Sequence, residues 1–204
     1  MTTLAGAEHL GFRCNRCGDC CRGLRVALTH HDLSRLVRAL GASPASLVDW
    51  LAPEEVDFAA EAESFVVFPE GPRLMVLAHE RGACRQIADD GSCGAYAARP
   101  LDCRLYPFVL ERDEERRVRK LALFDPRGCG ERGAELESLT VLECADAERW
   151  AALEEYGALV ARWNRFARHR ARLGHRTRDR QDFFAFLGHV GCPEPSATPA
   201  SQAQ

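Results

Sequence analysis

Apolar residues after the first thirty positions recur at helical spacing. The apolar face consists of Leu33, Leu36, Val37 and Leu40. Thr29 precedes this face, and Asp32 follows three positions later, an arrangement similar to a capping box. Gly41 then supplies a C-terminal stop. The pattern predicts a helix over 29–41, and Ser43 followed by proline predicts a second short helix running to Leu51.

The middle of the chain changes to short apolar runs separated by turn signals, which is typical of strands. The runs at 64–68 and 73–79 flank the turn "PEGP" and predict one hairpin. The runs at 103–110 and 116–124 flank a charged turn and predict a second hairpin. Pro107 has no amide hydrogen for a strand ladder, so we expect it at an edge or a bulge.

The last third of the chain is predicted to be helical. Thr140 and Glu143 form a capping-box pattern, and 182–190 predicts a short final helix. An apolar, mostly aromatic stripe between them predicts a face packed in the core; it consists of Trp150, Leu153, Tyr156, Leu159, Val160, Trp163 and Phe166. Residues 1–11 are expected to be a poorly ordered lead and 193–204 a disordered tail.

These elements predict a single α+β domain over residues 1–192: two hairpins between N-terminal helices and a C-terminal helical layer. Hydrophobic residues make up 46% of the chain, charged residues 28%, and the net charge is -3. This balance is ordinary for a globular protein and argues against a nucleic-acid partner. The chain shows no signal-peptide pattern and no apolar run of membrane-spanning length. We therefore expect a cytoplasmic protein with no membrane partner.

Four of the ten cysteines fall within eight residues, "CNRCGDCC" at 14–21. In a reducing cytoplasm such density favours metal binding over disulfides. The two-residue gaps between Cys14, Cys17 and Cys20 allow tight turns to direct several sulfurs at one centre, as in ferredoxins. Cys20 and Cys21 are neighbours in an expected loop, so their side chains should point apart. They would then face two metals, or one of them would be spare.

Six further cysteines lie downstream and divide into two groups. Four sit beside Gly, Asp or Pro, as ligand-carrying loops do: Cys84, Cys93, Cys103 and Cys129. We expect these four to gather with the N-terminal quartet on one side of the sheet. Cys144 and Cys192 lack that surrounding, and for them we expect ordinary buried thiols outside the site.

The combined motif resembles the CxxCxxCC cysteine-cluster family, the YkgJ-like zinc- or iron-chelating proteins. The quartet at 14–21 is followed by "CGAYAARPLDCRLYPF" at 93–108 and by "CG" at 129–130. The family-like part would cover 12–132, leaving 133–192 as a C-terminal helical part. The resemblance implies a metal site whose ligands are Cys14, Cys17, Cys20, Cys21, Cys84, Cys93, Cys103 and Cys129. A more distant similarity to flagellin lysine N-methylase also points to an iron–sulfur centre.

Either an iron–sulfur cluster or zinc can take four thiolates, and the run of two-residue gaps favours the iron–sulfur cluster. Three classes of function stay open. The first is a metal-cluster protein with a redox or accessory role and an unknown protein or redox partner. The second is a cluster-dependent enzyme, such as a protein-modifying methyltransferase or oxidoreductase, and the third is a structural zinc module. His79 is a reserve ligand, whereas His30 and His31 are expected to be polar residues at a helix start. Arg99 and Arg104 could bind an anion or pair with nearby aspartates.

Overall fold

The computed structural model describes residues 9–13, 18–58, 60, 62–113, 118–123, 131–175 and 178–191. The chain begins with strand β1 (His9–Arg13) and the short helix α1 (Asp19–Gly23). Residues 9–11 of the expected lead therefore belong to a strand. The remainder of that lead and the C-terminal tail from 192 lie outside the described residues.

Helix α2 (His30–Leu40) has the ends that the sequence predicts. The Thr29 hydroxyl accepts a hydrogen bond from the Asp32 amide, and the Asp32 carboxylate accepts one from the Thr29 amide. Gly41 closes the helix in the left-handed conformation, with φ of 60°. The second helix, α3, spans only Pro44–Leu47. Val48–Leu51 form strand β2, so the predicted helix to Leu51 is wrong over its second half.

An antiparallel sheet of three strands packs behind these helices. β3 (Phe65–Phe68) and β4 (Gly71–Leu77) form the first predicted hairpin, with Phe68 opposite Gly71. β2 pairs with the other edge of β4, giving the order β2-β4-β3. The second half of β4, Leu74–Leu77, is buried on both faces, and this explains its continuous apolar run.

A two-stranded ribbon follows, formed by β5 (His79–Glu80) and β6 (Ala83–Cys84). The chain then makes the short helix α4 (Leu101–Leu105) before the second predicted hairpin, β7 (Phe108–Arg112) with β8 (Val118–Leu123). The hairpin prediction is confirmed, but its first strand starts at Phe108 instead of 103. Pro107 stands immediately before that strand, where no ladder bond is needed.

The C-terminal part begins with strand β9 (Glu131–Ser138), which pairs with the sequence-distant strand β1. The expected helical part from residue 133 therefore starts later. Helix α5 runs from Leu139 to Arg172, one residue ahead of the predicted cap at Thr140. Helix α6 (Arg180–Gly191) contains the predicted final helix. Of the described helices, none combines enough length with enough apolar character to cross a membrane.

An aromatic core joins α5 and α6 to the sheet. The stripe on α5 is buried at Tyr156, Val160 and Trp163, as predicted, but Phe166 at its end is 40% exposed. The rings of Trp163 and Phe183 meet edge to face with centroids 5.2 Å apart. Because aromatic pairs of this kind contribute beyond their buried area, α6 is firmly attached to α5.

Asn164 fastens α5 to the free edge of β3. Its side-chain amide donates to the Phe65 carbonyl at 2.8 Å and accepts from the Val67 amide at 2.8 Å. Trp163 donates its indole hydrogen to the Val67 carbonyl at 3.1 Å. Side chains thus complete the hydrogen bonding of an edge strand. Helices and small antiparallel sheets together confirm the α+β class.

Candidate metal centre

Five thiols from separate segments of the chain lie in one cluster. Cys20 and Cys21 hydrogen-bond to each other, and Cys21 also hydrogen-bonds to Cys84. Cys93 and Cys103 are close enough to act electrostatically on the others. The structure therefore brings together the five predicted ligands that it describes, and their binding of a metal stays a prediction. Cys14, Cys17 and Cys129 lie outside the described residues.

Cys20 and Cys21 reach the cluster from α1. Gly18, at its start, has a φ of 73°, and a Cβ atom there would lie 2.6 Å from the Gly91 carbonyl oxygen. Only glycine allows this approach between α1 and the loop that carries Cys93. The expectation that Cys20 and Cys21 occupy a loop and point apart is wrong. Neighbouring residues of a helix are about 100° apart around its axis, so both thiols can face the same centre.

Cys84 and Cys93 are held by the segment that follows β5. Cys84 ends β6, is 4% exposed, and its sulfur accepts a hydrogen bond from the Gln86 amide at 3.4 Å. Cys93 pairs with Ile87 in an isolated bridge that closes the turn between them. Amide hydrogens directed at a sulfur stabilise its thiolate form, as metal sites require.

Cys103 lies on α4, not in the irregular segment expected from its sequence. Asp32 fixes the start of this helix, since its Oδ1 atom accepts the Leu101 amide at 3.0 Å. Arg35 donates to the same oxygen at 2.7 Å and to the Arg99 carbonyl at 3.1 Å. Sequence reasoning recognised Asp32 only as a local cap. Nothing in the sequence indicated its second role, because the partner residue is 69 positions away.

The thiols differ in how readily they ionise. The hydrogen bond from Cys21 lowers the pKa of Cys84 against the effect of burial. The hydrogen bond from Cys20 lowers the pKa of Cys21, but its bond to Cys84, burial and the nearby charges together raise it to about 11. The hydrogen bond to Cys21, with burial, raises the pKa of Cys20, and burial raises that of Cys103. Each thiolate opposes ionisation of the next, so this cluster needs a cation to deprotonate fully.

Arg99 is a positive charge beside the thiols, and its charge lowers the pKa of Cys20. Its guanidinium stacks on the Tyr96 ring at 3.9 Å from the centroid. Arg104 instead pairs with Glu148 at 3.3 Å, and Asp102 pairs with Arg149. Arg104 thus pairs with a glutamate, and Asp102, one of the aspartates expected as a possible partner, pairs with a different arginine.

His79, the reserve ligand, faces the same region. It pairs with Cys84 across the β5–β6 ribbon, and cross-strand partners project on the same side. Its ring hydrogen-bonds to the Leu24 backbone, while the Nε2 atom is buried without a hydrogen-bond partner. Burial, helped by the nearby Arg25 charge, lowers the pKa of His79. A neutral imidazole with one free nitrogen is the form in which histidine binds metal.

A cavity of about 370 Å³ opens beside the cluster. Cys20, Cys21, Cys84 and Cys103 line it together with His79. Apolar side chains such as Trp150 and Phe58 form other parts of its wall. A small molecule in this cavity would therefore lie next to the thiols.

The spacing of the sulfurs limits the geometry of the possible metal site. No three sulfurs of the described cysteines all lie within 4.8 Å of one another. A zinc ion with four thiolates at about 2.3 Å holds its sulfurs about 3.8 Å apart.

Cys144, expected to be a buried thiol, is exposed on α5. The burial prediction is wrong because α5 presents this position to solvent. Cys192 lies outside the described residues.

The fold and the thiols define a class of protein: an α+β domain whose sequence-distant cysteines converge on one centre. Residues 13–124 match the family CxxCxxCC, "Putative zinc- or iron-chelating domain". This match spans more than half of the chain, and the protein belongs to that family. No curated protein and no solved structure matches the chain. The similarity to flagellin lysine N-methylase is therefore not shown.

Proposed function

We propose that the protein binds an iron–sulfur cluster through thiolates drawn from the eight predicted cysteines. The observation that supports this most is the convergence of Cys20, Cys21, Cys84, Cys93 and Cys103 from three separate regions of the chain. Soft thiolate ligands suit both iron–sulfur clusters and zinc. The run of two-residue gaps between Cys14, Cys17 and Cys20 favours the iron–sulfur cluster. Zinc is the alternative cofactor for the same thiolates.

We further propose a redox or accessory role in the cytoplasm, with a protein or redox partner. An unprotected cluster of reduced thiols fits a reducing compartment. Arg99 beside Cys20 and the amide on Cys84 would tune the reduction potential, since charge and hydrogen bonds at the sulfurs set it.

Anaerobic purification tests the proposed cofactor. We expect brown protein with broad visible absorption and with iron and acid-labile sulfide bound. Cys17→Ser and Cys103→Ser should each abolish the bound metal, because each removes a thiolate from the centre. Cys144→Ser and Cys192→Ser are matched controls and should retain it. Colourless protein with zinc alone would reject the iron–sulfur proposal, and full metal in Cys103→Ser would reject the cysteine centre.

A cluster-dependent enzyme is a second candidate, favoured by the cavity beside the thiols. A substrate there could contact the metal directly. Titration of the loaded protein with imidazole should then change its visible or electron paramagnetic resonance spectrum. An unchanged spectrum at saturating imidazole would favour a closed centre that only transfers electrons.

A further inference from the structure

A second group of metal-binding side chains lies away from the cysteines. His30 and His31 begin α2, and Glu155 lies near the middle of α5. The His31 Nε2 atom is 2.7 Å from the Glu155 Oε2 atom, and the His30 Nε2 atom is 3.9 Å from the same oxygen. The potential ligand atoms of all three residues lie within 4.8 Å of one another. The tertiary fold brings together groups more than 120 residues apart in sequence.

The surrounding structure fixes His30 in this position. The residue is 5% exposed, and its ring stacks on Tyr156 with centroids 6.1 Å apart and planes at 15°. Its Nδ1 atom is buried and has no hydrogen-bond partner, whereas Nε2 is directed towards Glu155. Burial lowers the pKa of His30 to about 4, so the imidazole is neutral at neutral pH. His30 is therefore a neutral imidazole whose Nε2 atom lies on the side of Glu155.

The other two side chains have the freedom to close around an ion. His31 is 46% exposed and Glu155 is 62% exposed at the side chain. A tetrahedral ion with bonds of about 2.0–2.1 Å needs its ligand atoms about 3.3 Å apart. Small rotations of the two exposed side chains bring the three atoms to that spacing, and solvent supplies the remaining ligand.

We propose that His30, His31 and Glu155 bind a divalent transition-metal ion, such as zinc, at a site separate from the cysteine centre. Two imidazoles and one carboxylate suit zinc, cobalt or nickel, whereas magnesium and calcium require mainly oxygen ligands. The site includes no cysteine, so it does not depend on the proposed iron–sulfur function. It joins the start of α2 to α5. Asp32, which is also on α2, bonds to the start of α4, and α4 packs against α5.

Calorimetric titration of the full-length protein with Zn²⁺, its cysteine centre already loaded, tests the site. The double variant His31→Ala with Glu155→Gln should bind one equivalent less than the unmodified protein. The control His169→Ala with Glu154→Gln makes the same changes at exposed positions of α5 and should bind the same number. Both altered positions of the test variant are largely exposed, and circular dichroism would verify that it folds. Equal stoichiometry in test and control would overturn the proposal.

Cobalt spectroscopy distinguishes this site from stray binding to thiols. Co²⁺ bound by imidazole and carboxylate shows only weak d–d bands, whereas a thiolate ligand adds an intense charge-transfer band. We expect the equivalent lost in the double variant to lack that intense band. If the lost equivalent carries it, the ion was bound by cysteine and the proposed site does not exist.

Discussion

Proton competition at single thiols should govern how the proposed cysteine centre takes up metal. The pKa of Cys84 is lowered, since its sulfur accepts hydrogen bonds from Cys21 and from the Gln86 amide. Cys20, Cys21 and Cys103 have raised pKa values and are protonated at neutral pH. Each must release its proton before its sulfur binds a metal. We therefore expect Cys84 to be the first ligand of the proposed centre and the other thiols to bind as the cation offsets their mutual repulsion.

Metal affinity should consequently fall as the solution is acidified. A thiol that holds its proton at pH 7 contributes a factor of about ten in affinity for each pH unit. The Cys21 pKa of about 11 lies far above the working range, so its contribution persists throughout it. We expect the apparent Zn²⁺ affinity of metal-free protein to fall more than tenfold from pH 7.5 to 6.5, with measurable proton release in weak buffer.

A variant lacking the exposed Cys144 should show the same pH dependence. An affinity that does not change between the two pH values would mean that the raised-pKa thiols are not ligands.

Asp32 connects two elements, α2 and α4. Its Oδ2 atom accepts the Thr29 amide and hydroxyl at the start of α2, and its Oδ1 atom accepts Arg35 and the Leu101 amide at the start of α4. The residue is 2% exposed. A buried carboxylate with this many donors positions the helix that carries Cys103.

Asp32→Asn should lower both stability and metal affinity. The amide group of asparagine keeps the shape but presents hydrogens where donors already point, which leaves buried groups unpaired. We expect a loss of about 2–4 kcal/mol in the free energy of unfolding, measured by urea denaturation, with weaker metal retention. Asp57→Asn, an exposed control, should change neither. Unchanged metal binding in a destabilised Asp32→Asn would show that α4 is positioned by other contacts.

Elements with local signals could be predicted from the sequence, and those that depend on distant partners could not. The capping box at Thr29 and the hairpin around Gly71 involve neighbouring residues and are confirmed. The strand Val48–Leu51 was predicted as helix because its partner β4 lies more than twenty residues later. β1 was missed for the same reason, since it pairs with β9.

The candidate site shows the same division. Cysteine spacing and the family motif identified the thiols, and the structure brings the described ones together. The predicted local conformations of Cys20, Cys21 and Cys103 were wrong. Nearby glycine and aspartate residues suggested loops, whereas tertiary contacts stabilise short helices there. His30 and His31 were interpreted as helix-start residues, since nothing near them in sequence indicates Glu155.

The whole molecule has two regions of different character. The aromatic core lies between the sheet, α5 and α6. Ring packing and the hydrogen bonds of Asn164 stabilise it. The thiol region is made of short elements that touch this core only in part, through Cys84 and through Cys21 and Cys93 packed against it, so bound metal should supply much of the region's order.

Metal removal should therefore loosen the two regions unequally. After anaerobic chelation, we expect amide hydrogen exchange to rise in 18–24, 79–94 and 101–105. Protection should persist in 156–167 and 180–187, and far-UV circular dichroism should retain most of its helical signal. A uniform loss of protection over the chain would mean that the metal holds the aromatic core together as well.

Because the chain is synthesised from its N-terminus, the thiols of the cluster become available at different times. Cys103 leaves the ribosome roughly 80 residues after Cys20, a delay of about 4–16 s at ordinary translation rates. During that interval Cys20 and Cys21 are present without their downstream partners and open to oxidation or to the wrong ion. Helix α5, against which α4 packs, is translated later still. If the proposed centre forms, its metallation is thus a late event in synthesis, and the early thiols must stay reduced until α5 has been made.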